Sequence, residues 1–520
     1  MKILLIKASA DSQFKEYKAS MGGPPQNIFA AAAATPSEYD LEMIDETIGK
    51  KINFNTKADL IVIFFSTPDA LRGYKIAERF MSLNKTVVLG GLHVSALPEE
   101  ADHLCHSVLI GEIENYWSEM LSDAKSGQLK PRYQSTVPVD LSRLKPYPTH
   151  LLSPKDYRGV WSVVVGRGCD NACTYCVVNP FFKKLRFRPV KDIVDEIKAS
   201  GAKIIELHAD NLIADRAYAI QLFKALIPLK IRWIGECTIT VAEDDELLDL
   251  MVRSGLSDLL VGLETPDQEA LDNIGKSFIR VENLKGYVSK IQSLGVDIDA
   301  SFLFGFDEHG RDIFDKTLKF AAEVGIASCH SVILTPFPGT PFYNKIVNEG
   351  RLLTREYIKY DCTHAVFKPK HMTALELEQG AYWFDVQFDR VKKGKKISKP
   401  SPTAQNSQVD ENMVKVESGV SDTLKPDLSN VQAGYKKEIK WKAIIGLVLV
   451  VTSVVMNWPV LLGFLYLTWA IQDIQTGYAF ILEDVSRADH PILYWLTVGI
   501  WLLSGLYVVA EPLIVRLWYM

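Results

Sequence analysis

The chain has no excess of positive charge: 58 lysines and arginines stand against 63 aspartates and glutamates, for a net charge of −5. That balance leaves no electrostatic footprint for nucleic acid. A disulfide framework is missing too. The seven cysteines are odd in number, and Cys105, Cys237, Cys329 and Cys362 are scattered without the short spacings of ligands. They are read as small buried residues in a reducing interior. No signal peptide is expected, because the apolar run from Met1 to Ile6 is short and Lys7 interrupts it. A first β-strand is expected there instead. At 520 residues the chain exceeds one ordinary domain, and two or three are expected.

What is present centres on the stretch from Val163 to Cys176. Val163-Val164-Val165 is a short β-branched run with the pattern of a buried strand. Gly166 and Gly168 let the backbone turn. Cys169, Cys173 and Cys176 follow at spacings of four and three. Three thiolates on one loop suit a metal or an iron–sulfur cluster. A fourth thiolate would close off a [4Fe–4S] cluster; three leave one iron open to bind a substrate. Zinc competes for such ligands, but its sites usually show paired short spacings, and no second CxxC or HxxxH lies nearby. Three free buried cysteines are the bland alternative, and such clustering is rare by chance.

At these residues the chain resembles the radical S-adenosylmethionine (SAM) enzymes, whose signature CxxxCxxC with an aromatic residue before the last cysteine is matched by Cys169, Cys173, Tyr175 and Cys176. The resemblance implies a [4Fe–4S] cluster whose open iron is chelated by SAM. It implies reductive cleavage to methionine and a 5′-deoxyadenosyl radical, with hydrogen abstraction from an unactivated carbon. An electron donor such as a flavodoxin or ferredoxin is implied as well.

Upstream, residues 1–125 alternate strands and helices. Strands are expected at Lys2–Ile6, Leu41–Asp45, Leu60–Phe65, Thr86–Leu89 and Ser107–Ile110, with a helix at Ala70–Leu83. The pattern predicts a flavodoxin-like, doubly wound parallel sheet with ligands over the carboxyl ends of the strands. The loops there contain Ser66 and Thr67, then Gly90, Gly91, His93 and Ser95, then Gly111 and Glu112. They resemble the cobalamin-binding domain that precedes the barrel in one class of radical SAM enzymes, including lipid- and hopanoid-type members. That resemblance implies cobalamin at these eight residues. Ile113 stands where the class has glycine, and Gln26-Asn27 follow Pro24-Pro25 where it usually reads PPLG. The DxHxxG pattern is absent, so a base-off corrinoid is implied. For His93 a loop histidine bonded to backbone is the competing reading, and a domain without corrinoid that only docks the barrel competes with cobalamin binding.

Residues 126–160, punctuated by prolines, are expected to connect the domains. Residues 161–365 repeat a strand–helix unit six times, which predicts a partial (β/α)6 TIM-type barrel. Asp210, Glu236, Glu264 and Asp307 fall at strand ends, where an active site belongs. By position within the resemblance, Asp210, Glu236 and Glu264 are the candidates for SAM contacts; carboxylates accept hydrogen bonds from an ammonium or ribose hydroxyls. Residues 366–392 are expected to form a helical extension, and residues 393–437 a flexible linker too polar to bury a core.

Residues 438–520 change solvent. Residues 443–471 and 492–510 carry no charged side chain, and runs of that length predict transmembrane helices. Lys436, Lys437, Lys440 and Lys442 flank the first run and place that side in the cytoplasm. The expectation is a radical SAM enzyme tethered to the inner membrane, its catalytic domains cytoplasmic, methylating an unactivated carbon of a hydrophobic, lipid or isoprenoid substrate. Radical cyclisation, rearrangement or carbon–carbon coupling is the alternative chemistry. A membrane-anchored cluster protein that senses redox state or SAM without catalysis is the alternative class.

Overall fold

A computed structural model describes residues 1–10, 25–148, 151, 154–157, 159–393, 478–480, 484–486, 495 and 498. The chain divides into two compact units, Met1–Lys415 and Val416–Met520. In the second, Tyr478–Phe480 and Asp484–Ser486 pair antiparallel. The expected linker beyond Lys393 and nearly all of the two apolar runs lie outside the described residues. Among the described residues no helix is long and apolar enough to cross a membrane.

The first unit opens with a six-stranded sheet: β1 (Lys2–Lys7), β2 (Asp40–Asp45), β3 (Leu60–Phe64), β4 (Thr86–Gly90), β5 (Ser107–Ile110) and β6 (Arg132–Gln134). Its order is β2-β1-β3-β4-β5-β6 and all pairings are parallel. Both faces are covered, which explains the near-continuous apolar strands. In β1, Ile3 and Leu5 enter one core while Leu4 and Ile6 enter the other. The first of these cores continues into the barrel, so one face of this sheet shares its packing with the second layer. The short strand β6 lies inside the expected connector. With three residues, two of them exposed, and Pro131 in front, it carries no periodic signal.

The barrel strands are β7 (Trp161–Val164), β10 (Ile204–His208), β11 (Arg232–Glu236), β12 (Leu256–Glu264), β13 (Asp297–Phe304) and β14 (Ser328–Ile333), in sequential parallel order. A two-residue antiparallel pair, β8 (Gly166–Arg167) with β9 (Arg186–Phe187), is inserted after the first strand. Alternation sets the function of each face. Ile298, Ala300, Phe302 and Phe304 of β13 are buried, and Phe302 and Phe304 stack edge-on against Phe384 of the helix Ala374–Lys392. The intervening positions carry polar groups such as Asp299 and Ser301. That helix therefore lies along the β13–β14 side of the open barrel.

Candidate active site

The cysteine loop is held from several sides. Gly168 runs so close to the neighbouring backbone that a Cβ there would stand 2.4 Å from the Lys184 carbonyl oxygen. Its N–H donates to Asp210 Oδ2 at 2.8 Å, from the end of β10. Thr174 N donates to Ile274 O at 3.2 Å, and Phe342 N donates to Thr174 O at 2.9 Å. Within the loop Val178 N approaches Cys176 Sγ at 3.5 Å. Burial pushes all three thiols above their ordinary values, Cys176 to about 12, and nearby negative charge adds to it. For Cys173 the Lys276 ammonium opposes that rise. Three such thiols become thiolates only with cationic partners, as a bound cluster supplies. Among the described residues no three His, Cys, Asp or Glu side chains converge as a single ion requires. A cluster makes no such demand, because each cysteine binds a different iron. The donor set fits a cluster better than zinc.

Around the loop stand the strand-end carboxylates. Glu264 sits at a β-bulge with φ +63°, a left-handed conformation uncommon for a side-chain-bearing residue. Its carboxylate is buried: Oε1 pairs with Lys276, and Oε2 has no protein partner. Burial first, then the nearby Glu264 carboxylate, raises the Tyr175 phenol well above its ordinary value. An orphaned buried carboxylate oxygen beside Cys173 and Tyr175 suits a ligand ammonium or hydroxyl. Glu236 is reached by solvent. Surrounding protein mass first, then the charge on Asp210, raises its carboxyl to about 7 although Lys276 opposes. Burial likewise raises Asp210, against its bond from Gly168 and the nearby Arg167. Asp307 is a different case. Arg351 lies at 2.8 Å, Lys345 at 2.6 Å and Lys370 at 3.1 Å. Those three cations outweigh its burial and hold the carboxyl far below the usual range, so this group is consumed by structure.

Between the strand ends of the first sheet and the cysteine loop lies a cavity of about 600 Å³. Ser66, Gly91, Gly111 and Glu112 line it, facing Glu206, His208 and Asp210 of β10 and its following loop; Phe64, Phe65, Phe181 and Phe182 supply an apolar wall. His208 is held neutral, its imidazolium disfavoured by burial and Arg167 to about 4. A Cβ on Gly111 would meet nothing within 4 Å and would project into open space. Gly91 has φ +109°, and a Cβ there would stand 2.4 Å from Phe65 O, so a larger residue would move the loop. Thr67 and Ser95 line a second, smaller cavity of about 260 Å³ that shares Leu92, Gly111 and Glu112 with the first. Ser95 Oγ donates to Gly91 O at 2.7 Å and accepts from Gly111 N at 2.9 Å, tying two glycine loops together.

Two of the eight residues expected to contact cobalamin are in neither lining. His93 is fully buried on the short helix Leu92–Ala96, its ring nitrogens 3.4 Å from Thr67 Oγ1 and 3.3 Å from Glu100 Oε2. Its ring packs against Tyr357 at 4.5 Å. It is a satisfied core histidine, bonded to side chains where backbone had been expected. Gly90 packs beneath Phe64 and Leu109 and lets the sheet pack closely. Glu112 reaches the cavity, but both its oxygens are held by arginines.

The sequence reading passed over Lys7, Arg167 and Lys276. Lys7 lines the larger cavity and pairs with the buried Asp69 at 3.0 Å. Its signal was visible: a charge closing an otherwise apolar strand. Arg167 stood unremarked between the two glycines of the cysteine stretch. Lys276, in a loop after the helix Gln268–Asn273, had no local signal at all.

Known proteins agree with this layout. Residues 163–321 match the family model for the radical SAM superfamily. Bacteriochlorophyllide d C-12(1)-methyltransferase of Chlorobaculum tepidum is 27% identical over 360 residues, spanning 67% of this chain and 78% of that protein. Hopanoid C-2 methylase of Rhodopseudomonas palustris is 23% identical over 346 residues, 64% of this chain and 65% of that protein. The radical SAM methyltransferase TsrM of Kitasatospora setae, solved with cobalamin and a [4Fe–4S] cluster, superposes with a TM-score of 0.56 at 16% identity, covering 67% of this chain and 75% of that one. At that identity the superposition speaks to the fold. An open six-stranded barrel whose first strand delivers CxxxCxxC to its rim is what residues 163–321 have in common with one group of enzymes, and those residues form a radical SAM domain.

Proposed function

We propose that the chain is a cobalamin-dependent radical SAM methyltransferase acting on an unactivated carbon of a hydrophobic substrate. The observation that carries this reading is the cavity between the two layers. One wall is the glycine- and serine-bearing strand ends of the flavodoxin-like sheet; the facing wall runs from the cysteine loop to Asp210. The flavodoxin-like sheet is not needed to form the cluster loop, and here it supplies one wall of a largely apolar chamber of about 600 Å³. When bound, the cluster and SAM supply a hydrogen-abstracting radical, and cobalamin supplies a methyl carrier.

The chain's own residues do the rest. Cys169, Cys173 and Cys176 would hold the cluster. Glu264, with one oxygen unpaired, and Glu236, half neutral near pH 7, offer acceptors for SAM's polar groups. Asp210 pins the loop through Gly168 N. Ser66, Gly91 and Gly111 line the chamber in which a corrinoid would sit, and Phe181 and Phe182 give it an apolar wall. The relatives named for bacteriochlorophyllide and hopanoid methylation support a large apolar acceptor. The charge-free runs 443–471 and 492–510 support a tether that concentrates the enzyme at a bilayer holding such an acceptor.

The test uses the reconstituted full chain under anaerobic conditions, given SAM, a strong reductant and hydroxocobalamin. S-Adenosylhomocysteine together with 5′-deoxyadenosine is the expected product pair. 5′-Deoxyadenosine alone, indifferent to cobalamin, would move the reaction to rearrangement or coupling. Cys173→Ala is expected to abolish both products; persistence of either would remove the cluster from the chemistry.

A further inference from the structure

Arg167 belongs to the cysteine loop, two residues before Cys169, yet its guanidinium reaches the first sheet. Nη1 donates to Glu112 Oε1 at 2.9 Å and Nη2 to Glu114 Oε1 at 2.7 Å. Arg186, on the strand paired with β8, donates to the other Glu112 oxygen at 2.8 Å and to Val139 O at 2.9 Å. All four side chains are nearly buried, between 8% and 13% exposed. The Phe182 ring lies 5.9 Å from the Arg167 guanidinium carbon. Burial opposes charge on Arg167, but Glu114 and Glu112 outweigh it and hold the guanidinium charged. Glu114 is held ionised by the same arginine against its own burial.

A buried network of this kind has one geometry. The guanidinium is a planar fork, and here its two outer nitrogens are each assigned to a different carboxylate. An exposed pair slides among many arrangements; a buried pair that slides loses a partner it cannot replace with water. The two segments so joined have different duties. One carries the cluster ligands. The other, from Gly111 to Glu114, forms part of the cavity wall.

We propose that Arg167 is a positioning residue that fixes the loop 111–114 against the cysteine loop, so that radical formation at one and methyl delivery at the other occur at a set separation. The role in coupling rests on the methyl-transfer reading above.

The test compares the full chain with Arg167→Lys, which keeps the charge but loses the fork, and Glu114→Gln, which keeps the shape but loses the charge. Each is reconstituted with iron and sulfide, then with hydroxocobalamin. The expected result has three parts. Iron per chain stays at the wild-type level. Backbone hydrogen exchange at residues 111–114 accelerates by about tenfold or more while β3 and β4 exchange as before. With SAM and reductant, the ratio of S-adenosylhomocysteine to 5′-deoxyadenosine falls severalfold. Unchanged exchange at 111–114 in both variants overturns the proposal. So does a uniform acceleration across the unit with loss of iron, which marks a general structural role. If the wild-type chain yields 5′-deoxyadenosine but never S-adenosylhomocysteine, the methyl-transfer reading fails and the coupling role with it, while the exchange result still decides whether the latch exists.

Discussion

Glu236 stands at the end of β11, reached by solvent yet crowded by surrounding protein and then by the Asp210 carboxylate, which raise its carboxyl to about 7. An unfolded chain ionises a glutamate near pH 4.3 (about). Between those values the folded protein binds more protons than the unfolded one, so this group lowers stability as pH rises through the window and adds nothing further above it. Glu236→Gln removes that slope. The melting temperature of the variant relative to wild type is expected to be higher at about pH 8 than at about pH 5; an equal difference at both would show an ordinary carboxyl. The strand-end acids are legible because their positions follow from the strand–helix rhythm, and the cysteines because of their close spacing on one loop. Arg167 and Lys276 are not. Their partners lie 53 and 12 residues away in sequence, Glu114 and Glu264, and nothing local marks a residue whose meaning is its distant partner. His93 shows the converse, a polar residue in a suggestive motif whose side-chain partners satisfy it inside the core.

The helix Ala374–Lys392 carries a complete capping box: Thr373 Oγ1 accepts from Glu376 N at 3.2 Å, and the Glu376 carboxylate accepts from Thr373 N at 2.7 Å. Arg311 also pairs with Glu376 at 3.0 Å, joining this cap to the segment before the preceding barrel helix. Thr373→Ala is expected to cost about 1 kcal/mol of unfolding free energy, read as a shift in the denaturant midpoint at unchanged slope. Strong periodicity locates an element nearly to the residue, as for the helix expected at Ala70–Leu83 and found at Ala70–Ser82. Among the elements without a sequence signal are the shortest: β6, the β8–β9 pair and the helix Val178–Phe182. Each is fixed by tertiary contacts, and a run of two to five residues holds too few positions to express a period.

For the whole molecule, the tether is the property to test. Full-length protein is expected to co-sediment with phospholipid vesicles, and a chain ending at Lys415 to remain in the supernatant with its iron content intact. Equal partitioning of the two would remove the membrane from the proposal. The division after Lys415 makes that truncation a reasonable place to cut. Within the first unit, the layers are interlocked by early residues. Gln26 Nε2 donates to Ser162 Oγ of the first barrel strand at 3.2 Å, and Gln26 Oε1 accepts from Tyr147 at 2.7 Å. Tyr157 OH donates to Asp45 at 2.9 Å, and Phe29 stacks near both tyrosines. Synthesis runs from the amino end, so Glu112 and Glu114 leave the ribosome more than fifty residues before Arg167. The carboxylates that hold the cysteine loop are therefore in the chain before the loop itself is made, and the later segment brings the cation to acids already synthesised.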